Sequence, residues 1–188
     1  TSLDTVYLPE CTTASTTAFT GCKNITNATI GLTELTIANF PFKVASSTIT
    51  ELHFPNCTTI VDSVFCHYSS SSNGVVTYTS PYPNLTIVDF PLCTVVGESA
   101  FNGCSNLNYI DFPLCTDIKY RAFAACDNLE FARFPVCNKI GGNAFTGDEC
   151  LKSVYAPLCS YIGSNAFYNC SNLTSVNYPY CTHIGSYA

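Results

Sequence analysis

The chain predicts a solenoid built from coils of about 22 residues, and three observations carry that prediction. Pro-x-Cys occurs seven times, at Pro9, Pro55, Pro91, Pro113, Pro135, Pro157 and Pro179, and the last five copies are 22 residues apart. A fixed period in the twenties is the mark of stacked supersecondary units. The copies at Pro91 and Pro113 follow an L-x-x-[VI]-x-F segment and the others a variant of it, whose end alternates apolar and polar, as a half-buried strand does. Most are followed by a second apolar return through Ile or Val and then Ala-Phe.

The clearest unit runs from Leu107 to Asn128, with Leu107, Ile110, Phe112, Cys115, Ile118, Ala122, Phe123 and Cys126 as its periodic positions. Pro113 ends the strand because it has no N–H to donate. One unit cannot bury its apolar face alone, whereas stacked units share one continuous core. The register places eight strands, at 3–8, 25–30, 49–54, 85–90, 107–112, 129–134, 151–156 and 173–178. The second coil starts at Ile25, not Leu35, because Cys22-Lys-Asn-Ile25 matches Cys104-Ser-Asn-Leu107; Gly31 and Thr33 replace its Pro and Cys. The phenylalanines at 19, 42, 65, 101, 123, 145 and 167 form one column, an expected buried spine.

Pro55 and Pro91 stand 36 residues apart. The excess falls near 68–82, where Ser69–Ser72, Asn73 and Gly74 predict a polar loop. It reads as a tolerated insertion, with a binding excursion as the functional alternative. The whole of 1–188 reads as one solenoid domain of about eight coils. Ala188 aligns with Ala166, mid-coil, so a fragment of a longer array, or an omitted end, is expected.

Composition narrows the function classes. Charged residues are 11% and apolar residues 47%, too hydrophobic for a disordered chain. No apolar run approaches 18 residues, so no segment spans a membrane. The formal charge is −6 and no Lys/Arg cluster occurs, so nucleic acid is not an expected partner.

Thirteen cysteines suggest a disulfide scaffold at first sight. The repeat suggests otherwise, since seven occupy the Pro-x-Cys column. Cys22, Cys104, Cys126 and Cys170 occupy a second column, where Asp148 takes the slot Cys150 misses. Residues stacked in a column point the same way, which is poor geometry for pairing. Free buried thiols packing as small hydrophobes are therefore expected. Zinc would want close pairs such as C-x2-C, and only Cys66-His67 is adjacent, so no metal site is expected. No nucleophile or phosphate-binding motif surrounds His53, His67 or His183. An enzyme is not expected, and neither is a cofactor. Six N-x-[ST] sequons, several of them products of the repeat, carry little weight.

The motif L-x-x-I-x-F-P-x-C-x-x-I-G-x-x-A-F-x-x-C-x-N-L resembles the BspA-like leucine-rich repeats, best at Val96–Leu107 and Ile162–Leu173. The likeness is specific from residue 85 onward and looser over 12–84. It implies a leucine-rich repeat solenoid with right-handed coils and a parallel β-sheet on the concave face. Short turns or irregular helical turns would form the return side. It also implies an extracellular or cell-surface protein with roles in adhesion. The family has no shared catalytic residues, so none is carried over.

Outward positions of the strands give the candidate surface. One column contains Ile87, Tyr109 and Phe131, and the next contains Asp89, Asp111, Arg133 and Tyr155. An apolar, aromatic stripe rimmed by charge suits a protein or, second, a glycan partner. The same aromatics would also stabilise the sheet through cross-strand contacts. Asp89 and Asp111, on adjacent strands, could serve acid/base chemistry or hold calcium; solvation and Arg133 are the plainer account of the pair. The leading expectation is a non-enzymatic interaction module, and the alternative is a structural spacer.

Overall fold

The computed structural model describes residues 3–42, 48–70 and 76–188. It is a parallel β-solenoid of about seven turns, about 22 residues apart, with no helix among the described residues. The main strands are β1 (Thr5–Leu8), β2 (Asn27–Ile30), β4 (Glu51–His53), β8 (Ile87–Asp89), β10 (Tyr109–Asp111), β12 (Phe131–Arg133) and β14 (Ser153–Tyr155). The return side carries two-residue strands: β3 (Glu34–Leu35), β5 (Thr59–Ile60), β9 (Val95–Val96), β11 (Asp117–Ile118), β13 (Lys139–Ile140), β15 (Tyr161–Ile162) and β16 (His183–Ile184). These form a second, seven-stranded parallel sheet. The return side is thus a hydrogen-bonded sheet, where turns or helical turns were expected.

Seven of the eight expected strands form, and 173–178 does not. Val176 is exposed there, as is Ile184 in the coil's return strand, so the coil does not complete its apolar alternation. The main face is also divided. β1-β2-β4-β8 make one sheet and β10-β12-β14 another. β8 and β10 lie side by side, but no ladder joins them among the described residues.

The Ile25 register for the second coil holds. Thr5 to Leu8 pair with Asn27 to Ile30 in order. Gly31 donates its N–H to Leu8 O at 3.0 Å, which proline could not do. A Cβ at Gly31 would come within 1.8 Å of Pro9 O, so this coil excludes any side chain at the usual proline position. Leu35 and Phe40 are buried on the return path, consistent with their not opening a coil.

The insertion is more ordered than a loop. β6 (His67–Ser70) and β7 (Val76–Thr79) pair antiparallel, while 71–75 lies outside the described residues. Past the hairpin, Tyr82 turns into the core and packs edge-on against Phe40 and Phe65, at 5.4 and 5.7 Å. The insertion therefore contributes a core aromatic.

The phenylalanine spine is real from Phe65 onward. Phe65, Phe101, Phe123, Phe145 and Phe167 stack face to face at 4.7 to 5.7 Å. Phe19 stacks on Phe42 at 4.9 Å, and Phe40 stands edge-on between Phe42 and Phe65. A second column, Phe54, Phe90, Phe112 and Phe134, stacks beneath the main strands. Offset and T-shaped ring pairs of this kind add to the area term of burial.

The coils of Phe101, Phe123, Phe145 and Phe167 bend through two left-handed residues that bracket the spine phenylalanine, and those of Phe19 and Phe65 show one each. Ser63, Ser99, Arg121, Asn143 and Asn165 precede it by two; Gly21, Gly103, Ala125, Gly147 and Asn169 follow it by two. Gly and Asn enter this region most readily, which accounts for much of the residue choice here.

The cysteines serve the turns. All seven Pro-x-Cys thiols donate to the carbonyl two residues on, at 3.0 to 3.6 Å. Cys104, Cys126 and Cys170 donate instead to the spine phenylalanine carbonyl one coil back, at 3.8, 3.3 and 3.0 Å. A thiol is small enough for the buried corner and still carries a weak donor.

Candidate functional site

The pleat decides which side chains reach solvent on the main face. In β10, Ile110 is buried while Tyr109 and Asp111 point outward. Neighbouring strands repeat the pattern, because a parallel register keeps equivalent residues in one column. Ile87, Tyr109, Phe131 and Tyr155 are all exposed, at 44, 48, 44 and 53% of their free surface.

The structure brings four of the seven expected residues into one chain of contacts. Tyr109 Oη donates to Asp111 Oδ2 at 3.3 Å. Arg133 Nη1 donates to both Asp111 oxygens, at 3.2 and 3.3 Å. The Arg133 guanidinium then lies over the Tyr155 ring at 5.7 Å. Phe131 pairs in register with Tyr109, and Lys152 reaches over its ring at 5.5 Å while bonding Glu130 Oε2 at 2.6 Å. The Tyr109 hydroxyl is pushed up by its partial desolvation and then by the adjacent Asp111 carboxylate. It therefore remains a neutral donor across the physiological range.

Ile87 and Asp89 stand apart from that network. They belong to the first sheet, where Ile87 pairs with Glu51 and Asp89 with His53. His53 lies 3.6 Å from both Glu51 Oε2 and Asp89 Oδ2. Asp89 and Asp111 thus each face a cationic or titratable partner, His53 and Arg133. A cleft of about 190 Å³ opens beside Tyr155, against Ser175 and Asn177.

Two outward features were not read from the sequence. The middle residues of the last five Pro-x-Cys copies, namely Leu92, Leu114, Val136, Leu158 and Tyr180, form an exposed, largely apolar ridge along the turn edge. The return sheet carries Lys139 over Tyr161 at 5.7 Å and Tyr161 stacked on His183 at 4.5 Å. Both lie in columns of the same 22-residue register and could have been read by applying it beyond the main strands. Among the described residues, no group of three or more His, Cys, Asp or Glu could hold a metal ion. No helix among the described residues is long and apolar enough to cross a membrane.

Comparison with solved structures finds one that shares this fold. A leucine rich cell surface protein from Faecalibacterium prausnitzii superposes with a TM-score of 0.64 at 19% identity, over 98% of this chain and 44% of that one. A leucine-rich repeat protein from Eubacterium ventriosum matches at a TM-score of 0.46 and 16% identity, covering 97% of this chain and 41% of that one. One from Bacteroides ovatus matches at 0.34 and 19%, covering 98% and 72%. The chain spans less than half the length of the first two. No curated protein matches it. The family model for the BspA type leucine rich repeat region matches in six copies over residues 1–83 and 77–188, and the chain belongs to that family.

Proposed function

We propose that this chain is a non-enzymatic surface or secreted interaction module, adhesin-like, that binds a protein or, second, a glycan partner through its concave face, the solvent side of the main strands. The carrying observation is the contact chain Tyr109–Asp111–Arg133–Tyr155 beside the exposed Phe131. Tyr and Arg dominate binding hot spots, and here their side chains are already held in place, so little conformational entropy is lost on contact. The F. prausnitzii chain of the same fold is a cell surface protein, which supports an exposed location for this one. The family's repeats are typically non-enzymatic interaction modules, which supports the class.

The test is capture of extracellular and cell-surface proteins on immobilised chain, comparing wild type with a Tyr109→Glu, Phe131→Glu pair. Loss of a captured protein in the pair supports this face. Equal capture overturns it. A spacer that presents other domains is the second reading, favoured by the aromatic contacts that also tie neighbouring coils together; capture of nothing by either form would establish it as the better one.

A further inference from the structure

The eighth coil is closed on its return side and parted on its main side. On the return side β16 pairs with β15, and Gly185 donates its N–H to Ile162 O at 2.8 Å. On the main side, Phe112 N–H donates to Arg133 O and Phe134 N–H to Tyr155 O, at 2.9 and 2.8 Å. The next bond of that series, from Ala156 N–H to Asn177 O, does not form. Among the described residues, no backbone bond joins 174–177 to β14.

The strand β14 therefore ends the main sheet with an open edge. Ser153 turns its N–H back to Glu130 O. In a parallel ladder the alternate residues turn theirs to the other side, so Lys152 O, both backbone groups of Val154 and the Ala156 N–H face the eighth coil.

Two residues account for the opening. The second phenylalanine column, Phe54, Phe90, Phe112 and Phe134, is continued in register by Ala156 and Tyr178. Ala156 offers no ring for the next residue to stack on. Tyr178 instead lies parallel to Phe167 of the spine at 6.3 Å, and its Oη donates to Val154 O at 3.3 Å. That carbonyl is the acceptor that the Asn177 N–H would use in a continued ladder. The cleft of about 190 Å³ lies here, between Ser153, Val154, Tyr155 and Ala156 on one wall and Ser175 and Asn177 on the other. It is smaller than small-molecule pockets, which run from about 300 to 1,000 Å³. What it offers is main chain: the Lys152 carbonyl and the Val154 and Ala156 N–H groups.

An open strand edge is a template for a further extended chain. We propose that the β14 edge takes up a short extended segment of a partner protein, which joins the main sheet as an added strand. Lys152 O accepts one N–H of the segment, and the Val154 and Ala156 N–H groups donate to its carbonyls. Alternate side chains of the segment join the inward column of Val154 or stand outward beside Ser153 and Tyr155. The inward ones are therefore apolar, and proline is excluded where an N–H must be donated. A stacked second copy does not fit, because residues 173–188 already cover this end through the β15–β16 pairing. Tyr155 belongs both to the cleft and to the contact chain with Arg133. The inference thus rests on the interaction role proposed above and deepens it by naming how a partner attaches. Its test reads β14, whereas the capture test reads Tyr109 and Phe131, so either can fail without the other.

Amide exchange and chemical shifts of the isotope-labelled chain, followed by NMR, decide the matter. The probe is acetyl-Thr-Val-Thr-Val-Thr-amide, and the control replaces each Thr with Pro. In the free chain the Ala156 N–H should exchange at least about tenfold faster than those of Phe112 and Phe134. The probe should give saturable shifts at Val154 and Ala156 and slow the Ala156 exchange, and the proline peptide should bind at least about tenfold more weakly. The pair Ala156→Phe, Tyr178→Phe restores the ring column and removes the hydroxyl from Val154 O. It should close 174–177 onto β14, protect Ala156 without peptide and abolish binding. The exchange comparison and the two peptides need no variant, so they decide the matter even if that pair does not fold. Protection of Ala156 equal to that of Phe134 in the free chain would mean that the chain's own segment fills the edge, and would overturn the proposal. Equal response to both peptides, shifts confined to other faces, no shift at all, or undiminished binding by the folded double variant would each overturn it too.

Discussion

Asp148 accepts the backbone N–H of Cys126 through Oδ1 at 2.8 Å, while its Oδ2 is buried without a hydrogen-bond partner. The carboxyl is fully buried and occupies the slot where Cys104, Cys126 and Cys170 place a thiol. Burial raises its pKa well above the ordinary carboxylate value, and the nearby Asp127 adds to this, against the lowering by the Cys126 N–H. Only the protonated acid carries a hydrogen in that slot, as the thiols do.

The consequence is a stability that depends on pH in an unusual direction. A carboxyl whose folded pKa is raised contributes fully below its unfolded value near 3.8. That contribution is lost as pH rises towards the folded pKa. Asp148→Asn cannot ionise and should remove this component. The check is chemical denaturation of both proteins from pH 4 to 8. The advantage of Asn over Asp should grow with pH. A constant difference would show that Asp148 gains no charge on unfolding over this interval, so that its folded pKa is not raised. Asp148→Cys, which restores the column, should behave like Asn.

The spine makes a direct prediction. Phe123 is fully buried and lies between Phe101 and Phe145 at 5.3 and 5.5 Å. Phe123→Ala should cost about 3–5 kcal/mol, the range for removing a core phenylalanine. Thermal or denaturant unfolding measures it. A midpoint unchanged from wild type would contradict the packing described.

How legible this fold was depends on what the 22-residue period encodes. Leu107, Ile110, Phe112 and Phe123 repeat because each coil must bury the same face, so strands, inward positions and spine were readable. The outward columns followed from the pleat, which is why Tyr109, Asp111, Arg133 and Tyr155 could be named in advance. What was missed came from places where the period breaks or a pattern is too short. Tyr82 sits in an insertion that has no repeat partner. Two-residue strands such as Asp117–Ile118 are too short to show alternation. The division between β8 and β10 falls inside a perfect 22-residue step, and nothing in the residues marks it.

A corner residue offers a stabilising change. Ala125 adopts φ of 56°, while Gly21, Gly103 and Gly147 occupy the equivalent position. The left-handed conformation costs a residue with a Cβ about 1–2 kcal/mol, and glycine's added entropy loss is about 0.5–1 kcal/mol. Ala125→Gly should therefore stabilise the chain by up to about 1 kcal/mol, seen as a higher denaturation midpoint. A loss of stability would mean that packing of the Ala125 methyl outweighs the strain.

The thiols should be reduced and resistant to ionisation. Burial raises Cys57 to about 11 and Cys93, Cys104 and Cys137 to about 12, each above the ordinary thiol value of 9.0. Because the folded values are raised, stability should hold below about pH 9 and fall as pH climbs towards 11 to 12. Thiol counting in denaturant without reductant should find most of the thirteen reactive. Recovery of only one to three thiols, the count left by five or six bridges, would overturn the turn-stapling role described for the Pro-x-Cys sulfurs.

The binding face can be separated from the insertion hairpin by mutation. Tyr109 and Arg133 are tied to each other through Asp111, so each presents a fixed side chain to a partner. Tyr109→Ala and Arg133→Ala should each weaken partner binding by more than about 1 kcal/mol if they are hot spots. Because both act through Asp111, the double variant should lose less than the sum of the two. Replacing residues 70–76 with a two-residue turn, which leaves Tyr82 in the core, should change affinity little. These affinities are measured by titration calorimetry against the captured partner. Silent stripe variants together with loss of binding on shortening would place the contact on the hairpin. Near-additive losses from Tyr109 and Arg133 would show that Asp111 does not couple them in the complex.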